Sequence, residues 1–127
     1  MIKVYLWNPK EGKGKNFVIP ADFHKIYSVE RKWGESTPVV IREAKTSLKV
    51  LDQHLRNSMI TIRKGMEELG FLDKRLGDMT EEEKDKFCGM LESEQPGNLT
   101  EIVNISCDLR QFTSYEGITN TMQLGGI

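Results

Sequence analysis

Hydrophobic spacing changes its period partway along the chain, and that change restricts the fold more than any other feature. Ile2, Val4 and Leu6 alternate with Lys3, Tyr5 and Trp7, the period of two that belongs to a strand buried on one side. From Met66 onward, Met66, Leu69, Leu72 and Leu76 recur at the spacing of an amphipathic helix. A chain that begins in strands and ends in helices reads as α+β: a small three-stranded sheet with one helix (β-β-α-β), followed by a three-helix part.

The boundaries follow from turn chemistry and capping residues. Residues 2–7 form the first strand. Asn8-Pro9 and the run Lys10 to Asn16 supply a long basic hairpin loop, and Phe17-Val18-Ile19 resumes as a second strand closed by Pro20. Asp22 caps a helix in which Phe23, Ile26, Tyr27 and Trp33 share a face, with Gly34 as the stop. Residues 39–44 are the third strand. In the connecting segment 46–65, Leu48, Leu51 and Leu55 have helical spacing while Met59, Ile60 and Ile62 look extended, so a short helix or turn followed by an extended stretch is expected. Helices are then expected over 66–77, 81–93 and 98–112, with Phe87, Met90 and Leu91 inward in the second, Leu99, Ile102, Val103, Ile105 and Leu109 as the apolar residues of the third, and residues 113–127 as a tail. The length, 127 residues, suits one domain divided into parts 1–45, 46–65, 66–112 and 113–127.

Composition excludes several classes. With 38% hydrophobic and 29% charged residues the chain is not of the disordered type. It has no apolar run approaching the roughly 20 residues that span a bilayer, nor a secretory leader pattern, so a cytoplasmic location without membrane association is expected. Cys88 and Cys107 read as buried reduced thiols, with a disulfide between them as the alternative. The net charge of −1 conceals a split: residues 1–65 hold thirteen Lys/Arg and six Asp/Glu, whereas residues 66–127 hold five and thirteen. The halves could neutralise one another, associate head to tail, or steer a partner.

The densest acidic stretch is DMTEEEKDKFCGMLESE, residues 78–94. Part of it has a local explanation. Thr80 and Glu83 form a capping box, and Glu81 and Glu82 sit at the positive end of the helix dipole. Asn98 and Glu101 repeat the device. Asp78, Asp85, Glu92 and Glu94 go beyond this need and, with Glu67, Glu68 and Asp73, could line one acidic surface; the partner-binding candidates are Glu67, Glu68, Asp73, Glu81, Glu82, Asp85 and Glu92. The alternative is a nucleic-acid-binding accessory protein of conjugative transfer that uses the basic N-terminal half, with Lys10, Lys13, Lys15, Lys25, Arg31 and Lys32 as its candidates; there Tyr5, Trp7, Phe17, Tyr27 and Trp33 accompany Lys3, Lys15, Lys25, Arg31 and Lys32, a composition suited to stacking of single-stranded nucleic acid. Gly12-Lys13-Gly14-Lys15 lacks the Walker spacing and reads as a hairpin loop. His24 and His54 have no ligand pattern around them, Ser47 and Ser58 occupy no nucleophile elbow, and neither cysteine has a catalytic flank. No catalytic residue, metal site or cofactor is expected, and the chain is read as non-enzymatic.

The order of these helices carries a resemblance. Met66-Glu67-Glu68-Leu69-Gly70-Phe71-Leu72-Asp73-Lys74-Arg75-Leu76, then Glu83-Lys84-Asp85-Lys86-Phe87, then Asn98-Leu99-Thr100-Glu101-Ile102-Val103-Asn104-Ile105 resembles the ArdA-type antirestriction proteins of conjugative transposons. Members of that family have an L-x-E-L-x-x-L-A helix, an acidic helix ending in a K-F-like pair and a D-L-I-N-L helix. Leu69, Leu72, Phe87, Ile102, Asn104 and Ile105 fit that order, with Gly117-Ile118 as a family-like G-I. The resemblance implies a protein of a mobile element, dimeric, whose acidic surface imitates B-DNA in the groove of type I restriction-modification enzymes.

Overall fold

Alternation along the first strand gives the sheet its two unlike faces. The computed structural model describes the backbone of residues 1–118 and the side chains of residues 1–108. In β1 (Ile2–Asn8), Ile2, Val4, Leu6 and Asn8 are buried while Lys3, Tyr5 and Trp7 point the other way. β1 pairs antiparallel with β2 (Lys13–Ile19) and with β3 (Val39–Lys45), and β3 pairs antiparallel with β4 (Met59–Ile60). The strand order is β2-β1-β3-β4. Tyr5 is opposite Glu43 but Leu6 is opposite Ile41, which leaves Arg42 as the extra residue of a bulge. That insertion resets the alternation, so Val39, Ile41 and Ala44 are all buried despite their uneven spacing.

Five helices are described: α1 (Phe23–Trp33), α2 (Lys49–Leu55), α3 (Ile62–Asp78), α4 (Glu81–Glu94) and α5 (Leu99–Ile118). The inward strand residues join Val29, Leu51, Leu55, Met66, Leu69, Leu72, Phe87, Leu91, Leu99 and Ile102 in one apolar cluster. α1 packs on α3, α3 on α5 and β2, α4 on α2 and α5, and α2 on β3. The helices thus form a layer over the inner face of the sheet, the arrangement that buries one side of each element. Among the described residues, no helix is long and apolar enough to cross a membrane.

Several expectations need correction. The sheet has four strands rather than three, because Met59 and Ile60 pair with Val40 and Val39. The segment 46–65 contains α2, β4 and the start of α3, which begins at Ile62 instead of residue 66. β2 starts at Lys13, so the hairpin loop is short: Asn8 Oδ1 accepts from the N–H groups of Lys10 and Glu11 at 3.0 and 3.3 Å, and Gly12 N–H donates to Asn8 O at 2.8 Å. Gly12 has φ 65°, a left-handed conformation that closes the turn. α5 continues to Ile118, beyond residue 112; Leu109's side chain and the tail residues 119–127 lie outside the described parts.

The inward face of α1 is also rotated from the one expected. Ile26, Val29, Glu30 and Trp33 turn inward, while Phe23 and Tyr27 are 68% and 44% exposed. At 100° per residue, Phe23 and Tyr27 fall at the margin of an arc centred between Ile26 and Trp33. The two cysteines differ as well: both are free, Cys88 half-buried and Cys107 exposed, so the burial expected of Cys107 does not hold.

Candidate functional site

The acidic side of α4 is built by its cap and its two anchors. Thr80 Oγ1 accepts from Glu83 N–H at 3.1 Å, and Glu83 Oε1 accepts from Thr80 N–H at 2.9 Å, the reciprocal bonds that start the helix. Phe87 and Leu91 are fully buried and fix which side faces the core. On the opposite side Glu81, Glu82, Asp85 and Glu92 are all exposed. Their helical positions span about 100° of arc, so these four predicted residues share one face. Lys84 and Lys86 lie outside that arc and are half-buried; Lys86 Nζ stands 3.7 Å from Glu82 at the edge of the face. Cys88 lies just outside the arc on the side of Glu81: burial first, then the charges of Asp85 and Glu92, push its thiol pKa up.

The three predicted acids of α3 go elsewhere. Glu68 accepts a hydrogen bond from Thr100 Oγ1 at 2.7 Å, which directs it toward α5. Glu67 lies a helical step away, on the side of α1, where with Glu30 and Glu35 it surrounds Arg63. The Arg63 guanidinium is held above its ordinary range, chiefly by its hydrogen bond to Glu30 and then by that carboxylate's charge; Glu35 and Glu67 add to this. Asp73 is 18% exposed and forms an ion pair of 2.8 Å with the amino group of Met1, without hydrogen-bond geometry. The structure therefore brings together four of the seven acidic candidates and disperses three, because successive helical positions diverge by 100° and Asp73 falls near the inward side of α3.

The basic candidates are likewise spread. Lys10 is on the hairpin loop, and Lys13 and Lys15, opposite Asn8 and Leu6, lie on the helical side of the β2 edge. Lys25 places its ammonium 5.0 Å from the centre of the Phe17 ring, and Arg31 its guanidinium 5.7 Å from that of Tyr27. Lys32 is exposed on α1.

A different group occupies the outer face of the sheet. Lys3, Tyr5 and Trp7 of β1 stand beside Asn16 and Val18 of β2 and beside Arg42, Glu43 and Lys45 of β3. The Tyr5 ring lies against Gly14 in space that a Cβ there would fill. Arg42 sets its guanidinium 4.4 Å from the centre of the Trp7 ring. A depression of about 560 Å³ is lined by Lys3, Tyr5, Asn16, Glu43, Lys45 and Arg56, among others. Arg42, Lys45 and Arg56 were not among the sequence candidates. Their spacing in the chain carries no sign that they converge; only the alternation of Lys3, Tyr5 and Trp7 hinted at this face.

Among the described residues, no three His, Cys, Asp or Glu side chains gather as a metal site requires. Comparison of the chain with family models, with curated proteins and with solved structures gave no significant match. Fold and surface define a class: an α+β protein whose helical layer carries an acidic outer side and whose sheet carries an aromatic and basic one.

Proposed function

We propose that this chain is a non-enzymatic, antirestriction-like protein of a conjugative mobile element. It acts in the cytoplasm on a protein partner, a type I restriction-modification enzyme, by offering the outer side of α4 in place of DNA phosphates. The observation that carries the reading is the common exposure of Glu81, Glu82, Asp85 and Glu92 on one side of α4. At 1.5 Å per residue, these four charges extend over about 16 Å of helix, an average step of ~5.5 Å, wider than the roughly 3.4 Å per charge of one DNA strand. Surfaces that hold DNA do so largely through Lys and Arg contacts to phosphate that are blind to sequence, so carboxylates gathered on one helix face can compete for them. The resemblance of residues 66–118 to ArdA-type proteins supports the same partner class.

The test is competition against DNA for a purified type I enzyme. The full chain should inhibit in a manner that weakens as salt rises, and combined Glu81→Gln, Glu82→Gln, Asp85→Asn and Glu92→Gln should weaken inhibition at least tenfold. Neutralising Glu67, Glu68 and Asp73, which the fold disperses, should have a smaller effect. Absence of inhibition, or inhibition indifferent to the α4 substitutions in a protein with unchanged helix content, overturns the reading.

A further inference from the structure

The outer face of the sheet lies apart from α4 and is opposite to it in charge. We infer that this face is a binding site for single-stranded nucleic acid. Tyr5 and Trp7 project from β1, a central strand, and are half-exposed there, although an unneeded outward position on a wet sheet face is ordinarily polar. The Tyr5 ring lies against Gly14, where the absence of a Cβ leaves room for it, and remains partly exposed. Trp7 carries the planar guanidinium of Arg42, which can stack on a base or bind phosphate with its free edge.

A second observation is electrostatic. Lys3 and Lys45 are direct cross-strand partners on this face. Like charges in that position destabilise a sheet, and among the described residues neither ammonium has a carboxylate within ion-pair distance. The carboxylates nearby are already engaged. Glu43 lies 3.8 Å from Arg56, and Asp52 accepts from the backbone N–H and the hydroxyl of Thr46 at 2.6 and 2.7 Å. The face therefore holds a surplus of cations around two rings, a combination that an anionic strand with unpaired bases satisfies in both respects. A duplex satisfies only one, since its bases are already stacked and only its phosphates can reach a flat sheet.

The experiment is a fluorescence titration of the full chain with labelled oligothymidylate of about 12 nucleotides, within the usual site sizes of such surfaces. A Trp33→Phe background leaves Trp7 as the reporting indole. Binding should quench Trp7, weaken as salt rises, and exceed binding of a duplex of equal length. Tyr5→Ala and Trp7→Ala should each weaken it roughly tenfold. Lys3→Gln with Lys45→Gln should weaken it and flatten its salt dependence, while raising rather than lowering the melting temperature because the repulsion is gone. That variant separates loss of binding from loss of folding. The inference is overturned by no binding at low ionic strength, by binding indifferent to Tyr5 and Trp7, or by equal affinity for duplex or polyglutamate. Self-association through this face that Asp85→Asn and Glu92→Gln abolish also overturns it, since the occupant is then a second copy. No restriction enzyme enters this test, so its failure leaves the reading of α4 standing.

Discussion

Glu30 is a carboxylate in an apolar setting, with a side chain 6% exposed, and its partner Arg63 reaches it from α3 at 2.8 Å. Its second oxygen has no hydrogen-bond partner within the described structure, so the guanidinium is the main compensation for burying this charge. Arg63→Ala should lower the denaturation midpoint, and adding Glu30→Met should recover part of the loss; a double-mutant cycle in urea reads this coupling. Cys88 gives a prediction in pH. Burial and the charges of Asp85 and Glu92 raise its thiol pKa, so at a given pH less of it is thiolate, the species that reacts. Its alkylation should therefore require higher pH than that of a free thiol in solution. Asp85→Asn with Glu92→Gln should move the profile down without abolishing the displacement, because burial is the larger cause. Peptide mapping after iodoacetamide treatment follows Cys88 separately from the exposed Cys107.

Helix α4 is held at its start by the box and along its length by two residues. Thr80→Ala removes the cap and should cost about 1 kcal/mol. Phe87→Ala should cost roughly 3–5 kcal/mol, because the ring is fully buried between the helices and leaves a cavity. Both are measured as changes in urea midpoint, and a larger loss for Thr80→Ala than for Phe87→Ala would contradict this division of roles. The short strand β4 depends on a glycine. A Cβ at Gly65 would come within 2.8 Å of Ile60 Cβ, so Gly65→Ala should push α3 and β4 apart and destabilise by more than the small helical gain from Ala. Such a close approach between α3 and its neighbouring strand cannot be read from Gly65 in isolation.

For the molecule as a whole, the charge split along the chain becomes a split between surfaces, though not along the sequence boundary. The four acids brought together lie on α4; the basic face takes Lys3 from β1, Arg42 and Lys45 from β3, and Arg56 from beyond α2. Surfaces with no shared partners respond additively. The α4 quadruple variant should therefore retain binding of single strands, and the Lys3/Lys45 variant should retain competition with DNA on the restriction enzyme, each measured in the other's assay. Loss of both activities in either variant would mean that the surfaces are not independent.

Local signals were enough for much of this. The alternation in β1, the caps at Asp22, Thr80 and Asn98, and the leucine spacing of α3 are set by residues within a turn or two of one another, and the structure has Asp22 Oδ1 accepting from His24 N–H at 2.8 Å and Asn98 Oδ1 from Glu101 N–H at 2.9 Å. The sequence by itself thus determined the α+β class, the places where most helices begin, and the inward residues of α3 and α4. Tertiary structure decided what depends on distant partners. It recruited Met59 and Ile60 as a fourth strand, because two residues hold as a strand only when another edge supplies their hydrogen bonds. Packing against α3 turned Phe23 and Tyr27 outward, and helical phase sent Glu67, Glu68 and Asp73 in three directions while leaving four acids of α4 together. Cross-strand register, which no local pattern encodes, set Lys3 opposite Lys45 and Tyr5 against Gly14.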